Sequence, residues 1–170
     1  MIFRPEMLDI LQSAAASAWN GTVYRHMFGS HPPARANTGG ARWNAPGLAA
    51  VYASCERETA LAEADYYISL QPLPPKVKRT LFTIRVGLKN VIDLTGTELL
   101  PRLGITDDVL ASIDHLPCRT IGAAVNWLGH DGLLVPSARR SGGTNLVIFL
   151  QDLATSIFEV TDEEEIATAQ

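Results

Sequence analysis

The sequence predicts a single-domain α+β fold, and three observations carry that prediction. A chain of 170 residues, 46% of them hydrophobic, is long enough to bury one substantial core. From Lys78 to Val86 the residues alternate, with Phe82, Ile84 and Val86 on one side and Thr83 and Arg85 on the other. That is the period of a half-buried strand. At the N-terminus Met7, Ile10, Leu11 and Ala14 fall instead at helical spacing. No internal repeat and no second domain interrupts the mixture.

Taken in order, Pro5 to Ser17 predicts a first helix, with proline in the first turn and Glu6 at the positive end. Asn20-Gly21 breaks it, and Thr22 to Met27 reads as the first strand. Gly29 to Gly40, containing Pro32 and Pro33, is a long loop. Val51 to Ala53 is a short buried strand, after which Ser54 is placed to cap a helix bearing Glu56, Glu58 and Glu63. Gln71 to Pro75 stops that helix. The alternating strand follows, then another at Val91 to Leu94. Two short helices are expected around Glu98 to Leu103 and from a Thr106 cap to Ile113. Arg119 to Leu128 reads as a buried helix ended by Gly129. Strands at Gly132 to Val135, Asn145 to Leu150 and Ser156 to Val160 close the domain. The acidic run Asp162 to Glu165 reads as a solvated tail, extending over 162–170.

Composition narrows the function classes. A charged fraction of 19% suits a globular chain, and a net charge of −4 argues against a general nucleic-acid binder. A local basic pocket remains compatible with it. Cys55 and Cys118 are too few for a disulfide scaffold and suit a reducing cytosol. The longest strongly apolar run, Leu146 to Leu150, is far short of the roughly 20 residues that span a bilayer. The first residues lack the apolar core of a signal peptide. A soluble, cytoplasmic protein is the expectation.

The segment Gly39-Gly40-Ala41-Arg42-Trp43-Asn44-Ala45-Pro46-Gly47 is the strongest lead to chemistry. Glycines and a proline forbid a regular element and hold a cation and an indole on a constrained loop, offering a charge and a flat face to a ligand. Tyr52 follows on a strand and Glu63 on a helix, and Ser137 sits where a strand ends at Pro136. Singly, each has a plain structural reading. Arg42 would be a surface ion pair, Trp43 and Tyr52 core, Glu63 a solvated helix residue and Ser137 a turn serine. Together they favour a site. No glycine loop is followed by Lys and Ser or Thr, which disfavours ordinary nucleotide hydrolysis, and the histidines lack metal-ligand spacing.

Six short motifs also occur in one order: Tyr24-Arg25, Gly40 to Asn44, Val51-Tyr52-Ala53, Ala60 to Glu63, Asp131 to Arg139 and Gly142 to Leu146. In that order, from about Val23 to Leu150, the chain resembles the RES domain, named for its Arg, Glu and Ser residues. The resemblance implies a mixed-sheet core with flanking helices, similar to ADP-ribosyltransferases of the diphtheria-toxin type. It implies a growth-inhibiting toxin of a bacterial toxin–antitoxin pair whose substrate is NAD. A cognate antitoxin would cover the cleft between the Gly39 to Gly47 loop and the Ser137 turn.

On that resemblance Glu63 would face the positive charge that develops on the ribose as nicotinamide leaves. Arg25 and Arg42 would grip the pyrophosphate, since guanidinium and phosphate match bidentately. Tyr52 would stack on nicotinamide, and Ser137 and Asn145 would hydrogen-bond its amide or the ribose. No metal is required. Arginine-directed transferases usually carry Glu or Gln two residues before the catalytic Glu, where this chain has Leu61. The Phe28 to Ala36 segment resembles a subgroup containing a toxin that modifies phosphoribosyl-pyrophosphate synthetase. The long Phe28 to Gly40 loop therefore favours transfer of ADP-ribose to a protein acceptor. Hydrolysis or phosphorolysis of NAD is the alternative, and a non-enzymatic dinucleotide-binding or interaction module a further one.

Overall fold

Helix α1 (Pro5–Ser13) buries Met7 and Leu11 and stops earlier than expected, because Ala14 is already extended. Strand β1 (Ala16–Phe28) takes up the Ala/Ser stretch that propensity alone assigns to the helix. Its long antiparallel pairing with β3 (Arg79–Asp93), from Ala16↔Ile92 to Phe28↔Arg79, outweighs that preference. Asn20-Gly21 is thus part of the strand and not a break. Gly21 is there for space: a Cβ would come within 3.0 Å of the Trp19 indole. A register irregularity between Ser17 and Trp19 absorbs the local mismatch. We describe a computed structural model covering residues 2–96, 98–150, 154 and 157–167.

Strand β2 (Val51–Ser54) leads into helix α2 (Arg57–Ser69). Ser54 does not cap that helix; it ends the strand, and its hydroxyl bonds Asn145. Glu56 anchors the helix start instead, accepting from the Thr59 hydroxyl at 2.7 Å and the Thr144 N–H at 3.0 Å. The strands expected at Lys78 to Val86 and Val91 to Leu94 form the single strand β3. Helices α3 (Leu99–Arg102) and α4 (Asp107–Ala111) follow, the latter capped by Thr106 as expected. Helix α5 (Leu116–Trp127) starts three residues early, with Pro117 in its first turn. Strands β4 (Gly132–Pro136) and β5 (Thr144–Ile148) complete the centre.

Strand β6 (Phe158–Ile166) is the largest departure from expectation. The acidic run is no tail: Asp162 to Glu165 pair with Thr83 to Thr80 of β3. Backbone ladders do not require apolar side chains, and acidic residues on an outer strand discourage further pairing. Ser156, at the start of the strand expected there, and residues 168–170 lie outside the described residues.

Pairings β1–β2, β2–β5, β5–β4, β4–β3 and β3–β1 close the sheet into a ring, with β6 added outside β3. Among the described residues only the β3–β4 pair is parallel. Val23, Val51, Ala53, Ile84, Val86, Leu134, Leu146 and Ile148 fill one buried cluster. Ile92, Leu133, Val135 and Val147 face the other way and pack with α1, α5 and the short helices. Neighbouring residues of β4 and β5 thus bury both faces, which explains the unbroken Leu146 to Leu150 run. The mixed α+β core with flanking helices is as the sequence predicts.

Candidate active site

The Arg42-Trp43-Asn44 segment is held from three directions. Gly122 of α5 lets the helix pack directly on the Trp43 carbonyl, where a Cβ would collide. Arg119 Nε donates to the Ala41 carbonyl at 2.8 Å. Asn44, fully buried, donates through Nδ2 to the carbonyls of Asn37 and Leu48. The indole of Trp43 is 2% exposed and belongs to the core, so it offers no flat face to a ligand. The loop's composition thus divides its labour: Trp43 and Asn44 fix it, and Arg42 projects from it.

This loop, β1, β2 and α2 enclose a cavity of about 370 Å³. Arg25, Arg42, Tyr52, Glu63 and Asn145 all line it, so five of the six residues singled out in the sequence converge there. The sixth, Ser137, sits behind Glu63. Its hydroxyl donates to Glu63 Oε1 at 2.7 Å and accepts the N–H groups of Arg139 and Arg140, both at 3.1 Å. Two acceptances and one donation satisfy the hydroxyl.

Glu63 Oε1 also accepts from Asn145 Nδ2 at 2.8 Å, and Asn145 Oδ1 accepts from Ser54 Oγ at 2.7 Å. Ser54 and Asn145 are directly opposed on β2 and β5, so the strand register builds this relay. Oε2 makes no hydrogen bond among the described residues, and Glu63 is their one carboxylate lining the cavity. The carboxylate is therefore fixed through one oxygen and open through the other.

Tyr52 is tied at its phenol end, accepting from Trp43 N–H at 2.9 Å and donating to Asn44 Oδ1 at 2.7 Å. Burial first of all pushes its pKa up, so it stays neutral. Arg25 Nη2 donates to the Arg35 carbonyl at 2.7 Å and Nε contacts Met27 Sδ at 3.1 Å, while buried Nη1 has no partner. Burial holds its pKa down at about 10. An unpaired buried guanidinium nitrogen beside a cavity is a demand for an anion. Arg42 donates to the Ser112 carbonyl at 3.0 Å, and neither it nor Arg25 has an ion-pair partner among the described residues.

Sequence reasoning missed several lining groups. Tyr66 and Tyr67 lie three and four residues beyond Glu63 on α2, the spacing that puts side chains on one helix face, and this was the available signal. His26 also lines the cavity; burial and then the Arg79 charge lower its pKa to about 4. Arg139, two residues past Ser137, stacks over Tyr66 with its guanidinium carbon 3.4 Å from the ring centroid. Among the described residues no three metal-ligating side chains gather, and no helix is long and apolar enough to cross a membrane.

Comparison with known proteins gives the same direction. The profile of the RES domain matches residues 13–167. The NAD(+) phosphorylase MbcT of Mycobacterium tuberculosis is 30% identical over 139 residues, 76% of this chain and 73% of the relative. MbcT of Mycobacterium bovis matches with the same figures. In fold, the chain is similar to the crystal structure of the M. tuberculosis MbcT–MbcA toxin–antitoxin complex. The TM-score is 0.83 at 24% identity, covering 96% of this chain and 93% of that one.

Proposed function

The chain belongs to the RES domain family, and from that premise we propose that it is a toxin that destroys NAD by phosphorolysis. The observation that carries the reading is Glu63, locked through Oε1 by Ser137 and Asn145 and open through Oε2 in a cavity that Arg25, Arg42 and Arg139 also line. A dinucleotide brings two phosphate charges, and Arg25, with Nη1 unpartnered, and Arg42, which has no ion-pair partner among the described residues, are the guanidinium groups to receive them. The nicotinamide ribose then lies against Glu63. As the C–N bond breaks, its electron pair leaves with nicotinamide and positive charge grows on the ribose. Fixed negative charge beside that carbon stabilises the transition state. Ser137 is a positioning residue: it aims Glu63 and does not itself touch substrate. Tyr52, held at its hydroxyl, presents its ring as a wall for nicotinamide.

Phosphate as the acceptor is favoured over a protein side chain for two reasons. The activity named for the MbcT relatives is phosphorolysis. The Phe28 to Gly40 loop, expected to greet a protein acceptor, is instead tied into the pocket wall by Arg25 to the Arg35 carbonyl and by the Asn37↔Ala50 bridge. Leu61 also stands where arginine-directed transferases carry Glu or Gln. A cognate antitoxin that seals the cavity mouth completes the reading. The test is expression of the chain alone in bacteria while cellular NAD and protein labelling are followed. Loss of NAD with growth arrest and no labelled protein supports it; labelled protein with NAD largely preserved restores the transferase reading.

A further inference from the structure

One cation at the cavity has no task in gripping the pyrophosphate or stabilising the ribose. Arg139 is fixed on the Tyr66 ring, a contact that immobilises a guanidinium without using its donors. Among the described residues its side chain forms no ion pair and donates no hydrogen bond. It nevertheless lines the cavity together with Arg42 and His115. The Arg139 N–H bonds Ser137 Oγ, whose hydrogen goes to Glu63, so the residue stands next to the group placed at the reacting carbon. Burial, then the charges of Arg42, Arg119 and Arg139, lower the pKa of His115 against the opposing pull of Asp114.

Arg25 and Arg42 match the two charges of a pyrophosphate, which leaves Arg139 in surplus. The surplus has a use. A phosphate dianion approaching the ribose must pass the negative charge of Glu63, and only an adjacent cation offsets that repulsion. We propose that Arg139, stacked on Tyr66, forms a separate subsite for inorganic phosphate, the nucleophile that replaces nicotinamide. This rests on the phosphorolysis reading. In the step, an anionic oxygen of hydrogen phosphate forms the bond to the ribose carbon. Nicotinamide departs neutral with the C–N electron pair, and the phosphate keeps its proton on the product ester until bulk water removes it. The products are nicotinamide and ADP-ribose 1-phosphate.

The test is initial-rate kinetics with NAD and phosphate varied independently, on the wild type, Arg139→Gln, Arg139→Lys and Tyr66→Leu, each checked for its melting temperature. Arg139→Gln should raise the KM for phosphate about tenfold or more while the KM for NAD moves less than about threefold. Arg139→Lys should recover part of the loss, and Tyr66→Leu, which frees the guanidinium, should raise the phosphate KM with the charge still present. An unchanged phosphate KM in folded Arg139→Gln or Tyr66→Leu overturns the subsite, as does an equal rise in both KM values. Wild-type nicotinamide release that ignores phosphate altogether overturns phosphorolysis itself, a result distinct from either.

Discussion

Replacing Arg25 by methionine should make the protein more stable and a worse binder of NAD at once. Burial holds the Arg25 pKa down at about 10, well below the usual guanidinium range, which corresponds to roughly 3 kcal/mol of lost hydration of the cation. The hydrogen bond to the Arg35 carbonyl returns about 1–2 kcal/mol, while Nη1 returns nothing because it has no partner. Methionine keeps a flexible apolar stem in place of the arginine's and removes the charge, for a net gain of about 1 kcal/mol. In a chain of this size that is a rise in Tm of about 2–4 °C. The same change deletes a charge-assisted grip on pyrophosphate, which should raise the KM for NAD about tenfold or more. Scanning fluorimetry without NAD reads the first effect, and an NAD titration of initial rates reads the second. A variant that melts lower yet keeps its NAD affinity would make Arg25 a strut of the Phe28 to Gly40 loop and refute the reasoning.

Glu63→Gln should fold normally, since an amide oxygen can accept from both Ser137 and Asn145, but turnover should fall about a hundredfold as charge at the ribose is lost; near-normal kcat in the folded variant would remove Glu63 from catalysis. Ser137→Ala leaves the Arg139 and Arg140 N–H groups and one side of Glu63 unsupported, and should lower kcat about tenfold with little change in the KM for NAD. A raised KM with unchanged kcat would mean that Ser137 holds substrate directly. His26 has a folded pKa of about 4, below the unfolded 6.5, so protons favour the unfolded chain. Its contribution is complete above about pH 6.5 and is lost as pH falls toward 4. Partial exposure screens the effect to about 1–2 kcal/mol, so His26→Asn should flatten the acid limb of a Tm-against-pH curve.

Much of the frame is legible because burial writes itself into sequence period. The Lys78 to Val86 alternation and the apolar runs of β4 and β5 each announce a strand. The misreadings have one physical source, pairing that is decided by a distant partner. Ala16 to Gly21 carries helix-compatible and turn residues, yet β3 offers it a ladder broken only by the irregularity between Ser17 and Trp19. The acids of β6 look solvated because their side chains are solvated, while the backbone is paired. At the site, Arg42, Tyr52 and Glu63 stand out because they are polar or aromatic residues among glycines and alanines. Arg139 does not, since one arginine of an Arg-Arg pair in a turn looks like ordinary surface, and only the fold lays it on Tyr66. The role of Ser137 was equally hidden: the turn itself supplies the Arg139 and Arg140 N–H groups, but the bond to Glu63 forms only when the β4–β5 turn meets α2.

Phosphorus NMR of purified protein incubated with NAD in phosphate buffer distinguishes phosphorolysis from hydrolysis in a single spectrum. Nicotinamide release should be matched by a new phosphate-monoester resonance alongside an intact pyrophosphate, the pattern of ADP-ribose 1-phosphate, and Glu63→Gln should suppress both the release and the new resonance. NAD consumed at the same rate without phosphate, yielding ADP-ribose alone, would contradict it.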